Sequence, residues 1–384
     1  MSIENKGARS RQPRIQAARA RHVPGPAETI QRVTMLRHYA LSTYLRQIFG
    51  RRVQKIPLDV GAGCPNRDGT LSHGGCVFCN PRGSGAGLLA KGLNLEGQWD
   101  HFAAKYRAKF KSPLFMAYLQ SFSNTYGPVE RLAAILARIA GTGNKPPLPG
   151  LAALSIGTRP DCLDQAKLKL LAAQPLDEIW LELGLQSAND ATLARINRGH
   201  DFACFAGAVR QAASLGLKVC AHVIAGLPGE GKKDFLHTIS RVNELPVHGI
   251  KFHNLYVAED SLLAKDWRDG QFSPPALEDY VDWVADGLAI LRPDIVIHRL
   301  NADPSQDELL APAWASDKRR TLNLISQNLT ERDLWQGKLH IGGFGPGPFD
   351  WFSPLSPPPP GLRRTPDKKG PVAGQRRKMH DRPF

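Results

Sequence analysis

Six short, mostly apolar runs recur along the middle of the chain, and each is followed by a longer stretch with helical spacing of its apolar positions. The runs cover residues 55–60, 114–120, 151–156, 178–185, 217–224 and 249–256. Runs of this length with few charges predict strands that are buried on both faces. Because such strands alternate with helices of about ten or more residues, the pattern is typical of parallel βαβ units.

The intervening stretches predict the helices. Apolar residues recur at helical spacing over residues 35–49, and Gly50 ends that run. Further helices are predicted over 96–110, 128–140, 163–173, twice within 189–215, and over 233–244. A helix over 275–291, a strand over 294–299 and a helical segment over 317–328 complete the compact part.

Six βα units predict an α/β fold, built either as an open doubly wound sheet or as a partial (β/α)6 barrel. In both architectures the functional residues gather at the carboxyl ends of the strands. The chain accordingly divides into a disordered basic arm over 1–33, a compact domain over 34–330 and a Pro-rich, basic, mostly disordered tail over 331–384.

The net charge of +15 is concentrated at the two ends of the chain. Residues 1–33 carry seven Lys and Arg against two Glu, and residues 361–384 carry eight against two Asp, which leaves about +4 for the rest. Basic tails can bind RNA through its phosphates, and they can equally be solvated chain ends. Charge placement leaves both interpretations open.

The sequence favours a cytoplasmic protein. No run of eighteen or more apolar residues predicts a transmembrane helix, so we expect no membrane association. The first residues contain charges but no apolar core of a secretory signal, and Pro13, Pro24 and Pro26 argue against a transit peptide. Six cysteines in a chain of 384 residues do not suggest a disulfide framework.

Three of the cysteines lie in one glycine-rich loop directly after the first predicted strand. Cys64, Cys76 and Cys79 follow a C-x11-C-x2-C spacing, and no fourth cysteine is nearby. Three thiolate ligands leave one metal position open, as in a catalytic [4Fe–4S] cluster. With His73, the same thiols could instead form a Cys3His zinc site. Spacing alone leaves both open, but the βα repeat and Phe78, which could stack on a flat ligand, favour the cluster.

The sequence around this loop resembles the radical S-adenosylmethionine (SAM) enzymes. More narrowly, Lys-Ile-Pro-Leu-Asp-x-Gly-x-x-Cys-Pro-Asn-Arg-Asp-Gly over residues 55–69 resembles a family grouped with the Elongator-type tRNA-modifying radical SAM proteins. The resemblance covers about residues 35–330. The superfamily's usual spacing is C-x3-C-x2-C, and the longer first gap is a feature of the narrower family. Gly-Thr-Arg-Pro-Asp-Cys over 157–162 is also characteristic of it.

The resemblance implies ligands for SAM on the fourth and fifth strands. Gln186 and Arg198 match the interval between a Gln and an Arg that contact SAM in oxygen-independent coproporphyrinogen dehydrogenases. An Arg is suited to the methionyl carboxylate because its planar fork can donate two parallel hydrogen bonds. His222 stands where relatives have a ribose-binding Asp. Phe78 is expected beside the bound SAM.

Two further positions are candidates with an ordinary alternative. Ser121 and Asn124 follow the second strand, where relatives bind the methionyl amino group through a Gly-Gly-Glu segment that is absent here. They are candidate SAM ligands or simple loop residues. Cys162 could exchange a hydrogen atom with the substrate, or it could be a packing residue.

What the resemblance implies as a whole is a partial radical SAM barrel with two cofactors, a [4Fe–4S] cluster and SAM. SAM binds the open iron, an electron donor of the flavodoxin or ferredoxin type reduces the cluster, and a 5′-deoxyadenosyl radical removes a hydrogen atom from the substrate. Since relatives modify wobble uridines and both chain ends are basic, tRNA is the candidate substrate. The alternative is a zinc-stabilised RNA-binding protein without redox chemistry.

Overall fold

The computed structural model describes residues 37–81, 83, 89 and 92–342. Its centre is a sheet of seven parallel strands in the order β1-β2-β3-β4-β5-β6-β8. The strands are β1 Val53–Leu58, β2 Leu114–Leu119, β3 Leu151–Thr158, β4 Glu178–Gln186, β5 Lys218–Ala225, β6 Gly249–Asn254 and β8 Val296–Arg299. The short strands β7 Val257–Ala258 and β9 Leu309–Ala311 form a separate antiparallel pair.

Ten α-helices lie within the described residues. They are α1 Leu41–Phe49, α2 Leu95–Phe110, α3 Val129–Ala140, α4 Gln165–Ala172, α5 Asp190–Arg195, α6 Phe202–Ser214, α7 Lys232–Asn243, α8 Leu263–Arg268, α9 Leu277–Ile290 and α10 Lys318–Glu331. Several begin at the capping residues that their sequences provide: Asn94, Asp164 and Asp201 each accept a hydrogen bond from a first-turn backbone N–H. None of the described helices is long and apolar enough to cross a membrane.

The sheet curls into a partial barrel. The strand order follows the chain without reversal, so the switch point of a doubly wound sheet is absent from the described sheet. In a flat sheet β2 and β6 would lie about 19 Å apart, at about 4.8 Å per strand. Yet Lys251 Nζ on β6 donates to Tyr118 Oη on β2 at 3.0 Å. Of the two architectures that the sequence left open, the partial barrel is confirmed.

Two apolar layers hold the barrel together. On its outside, helices α2, α3, α4, α6, α7, α9 and α10 pack against the strands in one continuous core. At its lower end α1 closes the interior, where Tyr44 packs edge-on against Trp180 with ring centroids 5.6 Å apart. Both rings are fully buried. The upper end, at the carboxyl termini of the strands, is therefore the open one.

The structure corrects several sequence-based boundaries. The six-stranded barrel gains β8 as a seventh parallel strand, which lies within the predicted strand over 294–299. Helix α1 begins at Leu41 rather than 35, because Tyr39 O accepts from Ile297 N at 2.7 Å and the chain there runs alongside β8. Strands β7 and β9 and helix α8 were not predicted.

The predicted end of the compact domain at residue 330 is too early. Leu334 and Gln336 are buried. The Gln336 side chain accepts from Tyr39 N at 2.9 Å and donates to Ile295 O at 2.8 Å, which ties this segment to the lower end of the barrel. The predicted basic arm over 1–33 and the tail beyond residue 342 lie outside the described residues.

Candidate active site

A cavity of about 780 Å³ opens at the carboxyl ends of the strands. Its size lies within the range of about 300–1,000 Å³ that is typical of small-molecule and cofactor sites. Seven of the residues predicted from the sequence line it: Cys64, Cys76, Phe78, Cys79, Gln186, Arg198 and His222. The fold therefore brings together side chains that lie up to 158 positions apart in the chain.

The eleven residues between Cys64 and Cys76 adopt a defined conformation that hydrogen bonds hold in place. Asn66 is fully buried, and its side-chain N–H donates to Asn197 O at 2.6 Å. Asn197 in turn donates to Gly75 O at 2.7 Å. Arg67 donates to the carbonyls of Cys79 and Asn80 at 3.0 and 2.6 Å. The Asn-Arg pair after Cys64 thus fixes the loop to the β4–α6 connection and closes it on itself.

The environment of the three thiols fits an iron–sulfur cluster. Asn66 Nδ2 and Arg198 Nη1 approach the Cys76 sulfur at 3.7 and 3.6 Å, as donors that would stabilise a metal-bound thiolate. Burial, with Cys76 beside it, raises the pKa of the Cys79 thiol. Metal coordination deprotonates such a thiol outright. Cysteine thiolates are the usual ligands of [4Fe–4S] clusters, each on a different iron, so they need not converge on one point.

The geometry does not support the zinc alternative. Within the described residues, no group of three or more His, Cys, Asp and Glu side chains converges to hold a single metal ion, as a Cys3His site would require. His73 is exposed, and its ring lies over Gly69 rather than on the cavity wall. His73 is therefore a turn residue.

Arg198 lies between the cysteine loop and the end of β4. Its Nη2 donates to Gly184 O at 2.7 Å, while its Nε is buried with no hydrogen-bond partner among the described residues. A Cβ at Gly184 would come within 2.5 Å of Arg198 Nη2, so glycine makes room for the guanidinium. Gln186 has a φ of 80°, at a shift in the β4–β5 register. Strained backbone of this kind is common at ligand sites.

Sequence reasoning missed Arg159 as a cavity residue. Arg159 is only 2% exposed, lines the cavity and forms a two-pronged pair with Asp161, with Nη2 to Oδ2 at 2.8 Å. Its Nη1 is buried without a partner among the described residues. The signal was present, because Arg159 lies within the characteristic segment 157–162 at the end of β3.

Ser121, Asn124 and Cys162 are not on the cavity wall. Asn124 is buried, and its amide donates to the carbonyls of Leu119 and Gly157 at 3.1 and 2.8 Å, so it shapes the β2 loop. Ser123, between the two predicted loop residues, lines the cavity instead. Cys162 is buried behind it, and burial together with Asp161 raises the pKa of its thiol to about 12.

A layer of polar side chains forms the floor of the cavity, and Glu182 on β4 is its centre. The Glu182 carboxylate is fully buried and accepts from Lys55, from Lys251 at 2.6 Å and from Ser155 at 2.5 Å. His222 Nε2 lies 2.8 Å away. We refer to Glu182, Lys55, Lys251, Ser155, His222 and His298 as the floor cluster.

The floor cluster keeps its carboxylate ionised and its histidines neutral. Burial raises the pKa of Glu182, but the ammonium groups of Lys251 and Lys55 outweigh this effect and hold that pKa well below its ordinary value. Burial and the neighbouring lysines lower the pKa of His222 to about 3 and that of His298 to about 4. His222, the predicted ribose ligand, therefore lines the cavity with one ring nitrogen already engaged by Glu182.

The buried neutral histidines predict a loss of stability in mild acid. Between pH 6.5 and about 4 the unfolded chain protonates at His298 whereas the folded chain does not, so the free energy of unfolding falls as the pH is lowered through this window. His298→Phe should reduce that slope by up to about 1.4 kcal/mol per pH unit. Urea unfolding between pH 4.5 and 7 measures it. His101→Gln, at an exposed position on α2, is the control, and an unchanged slope in His298→Phe would contradict the assignment.

Comparison with known proteins agrees with this fold and cavity. Residues 59–242 match the radical SAM superfamily, and residues 247–331 match the Radical_SAM C-terminal domain. The chain is 39% identical over 292 residues to protein YhcC of Escherichia coli, covering 76% of this chain and 91% of that protein. It is 29% identical over 153 residues to the tRNA uridine(34) acetyltransferase of Dehalococcoides mccartyi, covering 39% and 33% of the two chains.

Among solved structures, the chain is similar to Elp3 of Methanocaldococcus infernus. The TM-score is 0.59 at 16% identity, covering 74% of this chain and 64% of that one, and this likeness concerns the fold. The identity to YhcC extends over nearly the whole of that protein, and the two family matches together span most of the barrel and its C-terminal helices. The chain therefore belongs to the radical SAM superfamily of enzymes.

Proposed function

We propose that this chain binds a [4Fe–4S] cluster through Cys64, Cys76 and Cys79, and that it cleaves SAM to begin hydrogen abstraction from a tRNA substrate. The observation that carries this proposal is the meeting of three thiols and the Arg198 guanidinium on one cavity wall. Three cysteine ligands would leave one iron of such a cluster without a thiolate, and SAM would take that position. When bound, the cluster supplies the electron that cleaves the SAM sulfonium and so yields a 5′-deoxyadenosyl radical.

Arg198 orients SAM in this proposal. Its Nη1 and Nη2 already contact the Cys76 sulfur and Gly184 O, and its buried Nε has a hydrogen to donate. A carboxylate beside the cysteine loop would satisfy it with a charge-assisted hydrogen bond. Arg198 would then hold the SAM carboxylate beside the cysteine loop.

The other wall residues position the remainder of SAM and exclude water. Gln186, at the strained end of β4, would contact the methionyl part, and Phe78 offers a ring for stacking. The free side of His222 faces the same cavity and would accept or donate to a ribose hydroxyl. A half-enclosed, protein-lined space limits the side reactions of a radical with solvent.

The tRNA assignment rests on relatives and on charge. One similar protein is named for its action on tRNA uridine(34), and the fold is similar to that of Elp3. The two chain ends carry most of the net charge of +15, as expected for segments that contact RNA phosphates. A flavodoxin or ferredoxin would donate the electron.

A modification assay tests the substrate directly. Nucleosides from tRNA of a deletion strain are compared with wild type by mass spectrometry, and the deletion tRNA is then incubated with enzyme, SAM and reductant. We expect one wobble uridine derivative to be missing in the deletion strain and restored in vitro, and not restored by the Cys79→Ala enzyme. An unchanged nucleoside profile would contradict the choice of tRNA as substrate.

A further inference from the structure

The cavity has a second cationic region, on β6 and β8, which the proposed cluster and SAM contacts do not use. Arg299, the last residue of β8, lines the cavity and makes no hydrogen bond or ion pair with another described residue. Lys251 and His253 on β6 line the same part of the wall. In the sheet, β6 lies two strands and β8 three strands away from β4, which leads into Arg198.

One cation of this region has no ion-pair partner among the described residues. Lys55, Lys251 and Arg299 carry three positive charges, and Glu182 supplies one negative charge in return. The histidines do not alter the sum, since burial and then Arg299 hold the pKa of His253 well below its ordinary value. Of the three cations, Arg299 alone has no ion-pair partner among the described residues, and an unpaired charge that is shielded from water is costly.

Three carboxylates also line the cavity, those of Asp303, Asp307 and Glu308. Asp303 forms an ion pair with Lys318 at 2.8 Å, and Glu308 accepts from Asn80 and, at 3.3 Å, from Tyr256. Neither forms an ion pair with Arg299 among the described residues. Arg299 thus lines the cavity without a carboxylate partner among the described residues.

Hydrogen-bond donors in the same region are also incompletely used. Lys251 Nζ has three hydrogens, and its two named partners are Glu182 Oε2 at 2.6 Å and Tyr118 Oη at 3.0 Å. The Nε2 atom of His253 is buried without a hydrogen-bond partner among the described residues. One charged guanidinium and two incompletely bonded polar groups thus belong to side chains that line the same cavity.

We propose that Arg299, assisted by Lys251 and His253, binds an oxyanion of the substrate, a carboxylate or a phosphate, within the cavity. This inference rests on the proposed function, because that function assigns the wall at the cysteine loop and the end of β4 to the cluster and SAM. The β6–β8 wall is then left for the substrate. Arginine pairs with both oxyanions through two parallel hydrogen bonds. The oxyanion would hold the reacting part of the substrate opposite the cysteine loop.

Binding of small anions to the full-length, cluster-loaded protein with saturating SAM and no reductant tests this. Sodium acetate and inorganic phosphate are the two probes, acetamide is the neutral control, and ionic strength is held constant. The dependence of the melting temperature on probe concentration gives the dissociation constant. We expect one oxyanion to bind saturably, acetamide not to bind, and Arg299→Gln to weaken binding by about tenfold or more, as for loss of a charge-assisted pair.

Three variants assign the site. Arg299→Lys keeps the charge but not the fork, and it should bind more tightly than Arg299→Gln and more weakly than wild type. The surface variant Arg138→Gln should keep the anion affinity of the wild-type protein. Equal affinity in Arg299→Gln and wild type, or an equal loss in Arg138→Gln, would overturn the proposal. Because the assay needs no SAM cleavage, its outcome is separate from that of the proposed reaction.

Discussion

Replacing Cys64, Cys76 or Cys79 by alanine is expected to remove the cluster and with it all SAM cleavage. The three thiols lie on one cavity wall, and the cluster would depend on all three of them. With only two cysteines, a [4Fe–4S] cluster lacks one of its protein ligands. The contacts of Asn66 with the Cys76 sulfur and of Arg67 with Cys79 O hold the loop but do not replace that ligand. We expect iron and sulfide to fall to the background level and 5′-deoxyadenosine to be undetectable.

The control for this prediction is Cys204→Ala. Cys204 lies on α6 and does not line the cavity, so its replacement should leave the iron content and SAM cleavage close to those of the wild-type protein. Iron and sulfide analysis after anaerobic reconstitution, together with chromatography of the nucleoside products, distinguishes the variants. A full cluster in Cys76→Ala, or cluster loss in Cys204→Ala, would contradict the ligand assignment.

The second large effect is expected from Glu182→Gln, which removes the negative charge of the floor cluster while keeping its shape. Lys55 and Lys251 would then be buried without a counter-charge, and breaking a buried ion pair in this way costs about 3–5 kcal/mol. Burial, partly offset by Glu182, lowers the pKa of Lys251 to about 8. In the variant that pKa falls further, so Lys251 becomes neutral more readily and the loss of stability should be smaller at higher pH.

Urea unfolding at pH 7 and pH 9 measures this effect. Glu96→Gln is a matched control, because the Glu96–Arg138 pair lies at the surface with both side chains nearly half exposed and should cost less than about 1 kcal/mol. Adding Lys251→Met to Glu182→Gln should restore part of the loss. A Glu182→Gln protein as stable as the Glu96→Gln protein would show that the floor cluster does not stabilise the barrel.

The strands and most helices could be predicted because buried parallel strands and amphipathic helices have simple patterns. The run over 178–185, for example, matches β4 Glu178–Gln186 within one residue. The elements that were missed are short or depend on distant contacts. β7 has two residues and exists only through its pairing with β9, which lies 51 positions later. No local pattern in the sequence specifies such a pair.

The site residues could be predicted where they belong to a sequence motif with a characteristic spacing. Cys64, Cys76, Cys79 and Arg198 came from spacing and resemblance, and all four line the cavity. Ser121 and Asn124 were predicted from their position after β2 alone. The local turn, in which Phe122 has a φ of 58°, directs Ser123 to the cavity instead. Side-chain direction in a tight loop depends on backbone angles that the sequence did not reveal.

The floor cluster and the Arg299 region could not be derived from local patterns because they require the curl of the sheet. Lys55 and Glu182 lie on strands that a flat sheet would separate by about 14 Å. One signal was available: polar residues at every second position of buried strands, such as Lys251 and His253 on β6. Alternation of this kind indicates a polar interior surface. It does not reveal which strands meet across that interior.

The central claim, that the cysteine loop holds a catalytic [4Fe–4S] cluster for SAM, is tested most directly by anaerobic reconstitution followed by reaction with SAM and reductant. We predict a brown protein with iron and sulfide each near ~4 per chain. It should convert SAM to 5′-deoxyadenosine, and this product should require both reductant and Cys79. A colourless protein with one zinc per chain and no 5′-deoxyadenosine would contradict the account.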